Sequence, residues 1–391
     1  MRVEPTTDVL RTPEAGARVI RGGALRGGGY AVGLGLAAAT SVFLLRGLGV
    51  DDFGRFATVA ALIGIVSTVT DAGLTVVGAR ELALRAERHG REDLLRSIVS
   101  LRILLTAVGV VLAVGFAWIA GYDRTMILGT LLAGIGVVLL NTQSTAMIPL
   151  SVGLRLRALT AVEVARQALT LAGVALLAVM GASLLPYFAV QIVVGLCVLA
   201  VTPALVGSVR ALQPRFDRAD ARRLLRESLP VAVAIALNVL YLRLLVILVS
   251  LLEGETETGL YATSFRVFEM LLGAPAIVLA VALPVLAVAG AEDPDRLRYG
   301  VQRLTEVALV GGLGAALATM AFASPAIRLL FGDDYDGAAP MLRIQAWALV
   351  PLFLGQVLSL LLLAVHRQRL IALANMLAVV VVVGLGLGLI E

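Results

Sequence analysis

The sequence predicts an all-α polytopic membrane bundle, with about 11–12 transmembrane helices in two parallel-repeat lobes around a central cavity. Three observations carry that prediction. The 391 residues are 59% hydrophobic and 15% charged, with mean hydropathy +0.96, far from the composition of a soluble domain. Apolar runs of about 20 residues, each able to cross ~30 Å of hydrocarbon as a helix, follow one another along the chain. Finally, the stretch Leu45–Thr58 echoes the region before Thr263, 205 positions later. Sliding one copy onto the other pairs Gly49 with Gly254, Asp52 with Glu257, Gly54 with Gly259, Phe56 with Tyr261, Ala57 with Ala262 and Thr58 with Thr263.

Six apolar runs fill the first half: Ala24–Leu45, Phe56–Val77, Ile98–Ile119, Thr125–Ile148, Leu159–Met180 and Leu184–Val206. Five follow in the second: Ser228–Leu251, Gly259–Leu286, Gln302–Ala323, Arg343–Val365 and Arg369–Leu389. Continuous apolarity, with no alternation, argues against a membrane barrel. The longest polar break, Gly207–Glu227, reads as a linker between an N-terminal lobe (residues 1–206) and a C-terminal lobe (residues 228–391). An even number of crossings separates the two copies of the echo. Both lobes therefore run the same way, as parallel repeats about an axis along the membrane normal.

Arginine placement orients the bundle. Every basic side chain other than the two histidines is arginine, and most lie at the N-terminus or in the loops after the even-numbered runs. Arg85, Arg88, Arg91 and Arg96 follow the second run, Arg155 and Arg157 the fourth, and Arg215, Arg218, Arg222, Arg223 and Arg226 the sixth. The opposite loops hold few, so the positive-inside rule puts the N-terminus in the cytoplasm of a cell-membrane protein. The basic balance is then a topology signal and requires no nucleic-acid partner. No apolar run lies in the first 23 residues, so no cleavable signal peptide is expected. Without lysine the chain lacks a P-loop, and one cysteine with two distant histidines offers no zinc centre. No cofactor is expected.

Particular motifs narrow the family. LRGLGVDDFGRF (Leu45–Phe56), TDAGL (Thr70–Leu74), SLPVAVAIALNVLYLR (Ser228–Arg243), TETGLYATSFRVFE (Thr256–Glu269) and LLFGDDYDGAAPMLR (Leu329–Arg343) occur in this order. In order and spacing they resemble the polysaccharide (O-antigen type, lipid-linked oligosaccharide) flippases of the multidrug/oligosaccharidyl-lipid/polysaccharide exporter superfamily. The resemblance implies a two-lobed helical bundle that translocates a lipid-linked oligosaccharide across the cytoplasmic membrane by alternating access. It implies no enzymatic step, with membrane lipids and polysaccharide-assembly proteins as candidate partners. Two departures stand out. Eleven runs fall short of the family's usual twelve or fourteen helices, and Arg243 is followed by Leu244 and Leu245 where the family often has an acid two places on.

Function is expected at the charges held within the membrane, because a mid-helix arginine costs ~2.5–3.5 kcal/mol on insertion scales unless paired or facing water. Arg243 has Val239, Leu240, Val246 and Ile247 at helical spacing, so no partner shares its face. It is the leading candidate for binding a pyrophosphate headgroup, because an arginine fork matches phosphate oxygens. Arg266 and Arg166 are further candidates, although Glu269 and Glu163 lie three residues away and can neutralise them locally. Arg102, near the cytoplasmic end, is expected to snorkel. Asp71, Glu163 and Glu269 are candidates for ion coupling or gating, with Arg80 or Arg46 as a structural partner for Asp71. Gln143, Asn141 and Asn238 could meet sugar hydroxyls, or bond between helices. GDDYD at Gly332–Asp336 reads as a solvated turn. The echo itself reads as a matched pair of turns at the outer side, outside the binding chemistry.

Two other functions share parts of this pattern. A multidrug cation antiporter of the same architecture would expose uncompensated acids in its cavity. A membrane-embedded polysaccharide polymerase or glycosyltransferase would carry a large outer loop with catalytic carboxylates.

Overall fold

The computed structural model describes residues 13–71, 73–84, 88–153, 155–207, 213, 215, 217–271 and 294–364, with residues 370, 373–374 and 376–377. Every element among them is helical. α1 (Pro13–Asp71) is not one rod, because Gly49 at φ 75°, ψ 175° interrupts it. That conformation is open to glycine and strained for other residues. It divides α1 into a first arm before Gly49 and a second arm after it. α2 (Leu74–Leu84), α3 (Arg88–Ile119), α4 (Arg124–Ala146) and the short α5 (Ile148–Val152) follow, then α6 (Leu156–Val179) and α7 (Leu184–Val206). The second half holds α8 (Arg218–Leu252), α9 (described over 255–271), α10 (Pro294–Phe331), α11 (Ala338–Ala346) and α12 (Leu349–Ala364).

Close approaches give the directions. The first arm runs parallel to α6, with Gly29 against Thr160 and Gly47 against Ala178. The second arm runs antiparallel to α3, with Thr70 on Thr106 and Asp71 on Arg102, and antiparallel to α8, with Gly64 near Arg243 and Gly54 against Glu255, just beyond the end of α8. α3 and α4 meet antiparallel through Val110 and Gly134, whereas α4 and α7 run parallel through Gly129 on Phe188 and Leu139 on Gly195. α6 and α7 are antiparallel, with Gly173 on Val190 and with Ala178 and Tyr187 both at Gly47, so these relations hold together only if the chain reverses at Gly49. The two arms are therefore two crossings that share one turn.

Among the described residues six helical stretches are long and apolar enough to cross a membrane, or seven if the bent pair Ala338–Ala346 and Leu349–Ser359 is one span. The first of these, Gly27–Leu84, contains both arms of α1. The run expected at 56–77 ends earlier, because helix α1 stops at Asp71 and Gly73 (φ 67°) redirects the chain into α2. The run at 343–365 is broken by a 45° bend between α11 and α12. The run at 259–286 is described only as far as residue 271, and most of 369–389 lies outside the described residues.

At one end of the bundle, called here the Gly49 end, the second half clamps the Gly49 turn from two sides. Tyr335, 1% exposed, donates its hydroxyl to the Leu45 carbonyl at 2.8 Å and meets Phe53 and Phe331 edge-on. Arg46 donates to the carbonyls of Leu330 and Leu329 at 2.9 and 2.6 Å, capping the end of α10. The GDDYD segment is thus a docking element: its aspartates face water while its tyrosine is buried. Arg328 holds it in place with two bonds to Asp336, at 2.9 and 2.6 Å.

The other, arginine-rich end has its own apolar cluster. Leu74, Val77 and Leu82 of α2, Leu94, Leu95 and Ile98 of α3, and Ala221 and Leu224 of α8 are buried together. The C-terminal part of the break expected at 207–227 is therefore helix, since α8 begins at Arg218, and its Ala221 and Leu224 are packed. Residues 213 and 215, ahead of it, lie against α3: Arg215 pairs with Asp93, its backbone N–H donates to Ser100 Oγ at 2.7 Å, and Arg96 donates to the Gln213 carbonyl. Arg223 reaches Glu81 of α2 at 3.4 Å.

Two outcomes are expected. Tyr335→Phe leaves the buried Leu45 carbonyl without its side-chain donor and should lower stability by about 1–2 kcal/mol, read as a lower Tm in detergent. The Arg328 guanidinium holds the Asp336 carboxyl below the usual carboxylate range. A depressed carboxylate contributes stability above its unfolded pKa and loses it as pH falls through the lower folded value. Acidification below the ordinary carboxylate range should therefore loosen this loop in the native chain, and Asp336→Asn should remove that part of the acid dependence of Tm.

Candidate functional site

Helix rise converts sequence position into depth. At 1.5 Å per residue from the Gly254 turn, Arg243 lies about 16 Å into the bundle, Arg266 about 18 Å and Glu269 about 22 Å. These depths are near the middle of ~30 Å of hydrocarbon, where a charge needs a partner or water. The antiparallel α8–α9 hairpin brings the three together. Arg243 Nη2 meets Glu269 Oε1 at 2.7 Å, and Arg266 Nη1 meets Glu269 Oε2 at 3.4 Å. Arg266 Nε also donates to Ser41 Oγ on the first arm of α1, at 2.9 Å.

Arg243 has no partner on its own helix face, as its neighbours require, and its partner comes from the next helix. One carboxylate serves two guanidinium groups, so the triad carries a formal net charge of +1. Side-chain exposures of 30% for Arg243, 38% for Arg266 and 23% for Glu269 leave all three reachable. An arginine shared in this way keeps N–H donors free for a second anion.

A cavity of about 560 Å³ lies nearer the arginine-rich end. The first arm of α1 lines it with Gly29, Tyr30, Gly33 and Ala37, and Thr75, Ser144, Ser151, Thr160, Glu163 and Gln167 supply its polar groups. Gly33, Ala37 and Ser41 recur every four residues, so they follow one helix face. Ser41, which holds Arg266, is one turn, about 6 Å, beyond the cavity-lining Ala37. The small residues of this face make room for the cavity and lead toward the triad. Ser41, Tyr30 and Ser144 were missed at the sequence level. The four-residue spacing of Gly29, Gly33 and Ala37 was the available signal.

The remaining sequence candidates fall elsewhere. Arg166 bonds Glu163 through both Nε (3.1 Å) and Nη2 on the same face of α6, and Gln167 donates to the same carboxylate at 3.4 Å. The pair borders the cavity through Glu163, without joining the triad. Gln143 is buried against Met147 and does not itself line the cavity. Asn141 bonds Ser67 at 3.1 Å and Thr106 at 3.4 Å, tying α4 to α1 and α3. Asn238 lies on α8, and its side chain is outside the described residues. Asp71 pairs with Arg102 of α3 and accepts from Thr75 Oγ1 at 2.7 Å. Neither Arg80 nor Arg46 is the partner: antiparallel packing sets 71 opposite 102, while Arg46 is engaged at the far end. Arg102 does not snorkel; its side chain is 5% exposed and turned inward to Asp71.

Solved structures of low identity share this fold. An inward-facing multidrug resistance MATE family transporter of the MOP superfamily superposes with TM-score 0.66 at 14% identity, covering 87% of this chain and 82% of that one. A eukaryotic MATE transporter gives TM-score 0.59 at 17% identity, over 90% and 83% of the two chains. A MOP superfamily transporter from Pyrococcus furiosus, described as having a binding pocket of reverse polarity, gives 0.57 at 14% identity, over 100% and 99%. Among curated proteins no sequence matches the chain. The helices and these neighbours make it a multi-pass membrane protein with the fold of exporters. Residues 43–340, most of its length, match the family described as "Polysaccharide biosynthesis protein", and the chain belongs to that family.

Proposed function

We propose that the protein exports a polyprenyl-pyrophosphate-linked oligosaccharide across the cytoplasmic membrane by alternating access, for cell-surface polysaccharide biosynthesis. One observation carries this reading: two arginines at mid-depth share a single carboxylate, one helical turn beyond a cavity whose largely apolar wall carries neutral polar groups and a single acid, Glu163. A pyrophosphate bears more than one negative charge, so it can compete with Glu269 for both guanidinium groups. Fork geometry suits arginine to that exchange better than lysine. Hydroxyl and amide groups of Ser144, Thr160, Gln167 and Tyr30 offer donors and acceptors to sugar hydroxyls, and the prenyl tail stays among lipids. In this reading the arginine-rich end faces the cytoplasm, as the positive-inside rule requires. Polysaccharide-assembly proteins would receive the product.

A cation antiporter is less well supported. Each of the three carboxylates Asp71, Glu163 and Glu269 is bonded to an arginine, so a cationic drug would have to displace a guanidinium first. A membrane polymerase is disfavoured as well, since the Gly332–Gly337 connection is a short loop occupied in docking Tyr335.

Arg243→Ala should lower flipping of a fluorescent polyprenyl-pyrophosphate oligosaccharide in reconstituted vesicles by about tenfold to a hundredfold, the loss of one charged hydrogen-bond partner. Arg243→Lys should keep part of the rate. Undiminished flipping by the alanine variant, at equal expression, would sink the anion-site reading. Asp71→Asn tests the other carboxylate. Because Asp71 neutralises the buried Arg102, the variant should lose up to about 3 kcal/mol of stability while any dependence on a pH gradient persists. Loss of that dependence without loss of stability would instead make Asp71 the coupling group.

A further inference from the structure

The polar groups in the wall of the cavity mostly face it as acceptors. A serine or threonine hydroxyl carries one proton, and three of those lining the cavity have already given it to the protein. Thr75 Oγ1 donates to Asp71 at 2.7 Å, Ser144 Oγ to the Asn141 carbonyl at 3.0 Å and Ser151 Oγ to the Ile148 carbonyl at 2.7 Å. All three residues are exposed, so what they offer the cavity is oxygen lone pairs. Glu163 adds a carboxylate, which only accepts. Of its roughly four lone-pair sites, Arg166 takes one on each oxygen and Gln167 a second on Oε1, which leaves one on Oε2.

Charge follows the same sense. Glu163 lines the cavity with its side chain 53% exposed, whereas Arg166, 26% exposed, is not part of the wall. Among the described residues no cationic side chain lines the cavity, so a ligand there meets the negative end of the pair. Tyr30, half exposed, adds a ring on which the apolar face of a sugar can rest. The volume of about 560 Å³ is in the range of ~300–1,000 Å³ usual for small-ligand sites. Hydroxyl groups suit such a wall. A carboxylate does not, because it brings no donor and is repelled by Glu163. With a pyrophosphate at the triad, one helical turn beyond Ala37, the sugar joined to it falls at the level of this wall. We infer that the cavity selects that first sugar: it takes an uncharged, hydroxyl-rich residue, and Glu163 with the acceptors around it excludes acidic sugars such as hexuronic acids.

The inference rests on the glycolipid reading, and binding tests it without transport. In a Cys197→Ser background, an Ala37→Cys reporter in the cavity wall is labelled with a maleimide in detergent, in the presence of either of two polyprenyl-pyrophosphate trisaccharides. They differ only in the first sugar, a hexose in one and the corresponding hexuronic acid in the other. The hexose form should protect the reporter at a concentration about tenfold or more below the uronate form, and Glu163→Gln should narrow that ratio to about threefold or less. Glu163→Gln combined with Arg166→Gln leaves no unpaired arginine; it should narrow the ratio likewise and serves where the single variant does not fold. Lost packing alone would weaken protection by both ligands and keep their ratio. The inference is overturned if both ligands protect the Glu163 protein equally, if neither protects, or if the ratio survives the substitutions. Selective protection in a protein that flips neither ligand in vesicles would keep the sugar site and remove the transport assignment. Equal protection with flipping of both ligands would do the reverse.

Discussion

The rest of the bundle depends on a backbone that must turn at glycine and then touch another backbone. Gly49 reverses α1 so that its two arms are separate crossings, and Gly54, one turn later, lets the second arm lie against α9. Once that contact is made the register of both helices is set by counting. Fifteen residues beyond the turn, Gly64 arrives beside Arg243; on the other arm, Ser41 arrives beside Arg266. A side chain at Gly54 or Gly259 would push these helices apart along their length. The mid-depth charges would then lose the alignment that lets one carboxylate serve two arginines.

Those charges follow the economy expected in hydrocarbon, where an unpaired ion is expensive and a paired one informative. The two halves settle it differently. In the first half the acids Asp71 and Glu163 have one arginine each, Arg102 and Arg166, and local charge cancels. In the second half one acid faces two arginines and a positive excess remains. The repeat supplies matched turns and matched helix directions, while the excess charge has no copy: the counterpart of Arg243 is Ala38. Shared architecture and unshared charge fall on different residues. This is the arrangement expected where a duplicated frame carries a single binding task.

Much of this was legible in the sequence. Apolar length marked the crossings, the shift of 205 marked the paired turns, and a bare helical face marked Arg243 as deep and unserved by its own helix. What escaped depended on register between helices, which periodicity along one helix does not contain. Glu269 as partner of Arg243 requires the α8–α9 hairpin to close at Gly254. Arg102 as partner of Asp71 requires the second arm and α3 to be antiparallel with 71 opposite 102. Tyr335 was hidden for another reason. A tyrosine among aspartates reads as solvated until a packed neighbour, here Leu45 with Phe53, is available to cover it. The arginine and aspartate alternation at 207–227 similarly concealed Ala221 and Leu224, whose burial depends on α2 and α3.

The Gly54–Gly259 contact and the triad share their helices, and that gives the proposed cycle a mechanical route. α9 carries Gly259 in its first turn and Arg266 and Glu269 two to three turns deeper, so a tilt that opens the crossing must displace the carboxylate that joins the arginines. α1 carries the opposing parts: Gly54 on its second arm, Ser41 on its first, and the Gly49 turn between them held by Arg46 and Tyr335. A headgroup that took both guanidinium groups from Glu269 would break the bond that fixes α9 to α8 at mid-depth. That frees the helix whose first turn meets the second arm of α1. The coupling is then a competition for two arginines, with Glu269 holding α9 in the closed geometry and the anionic substrate releasing it.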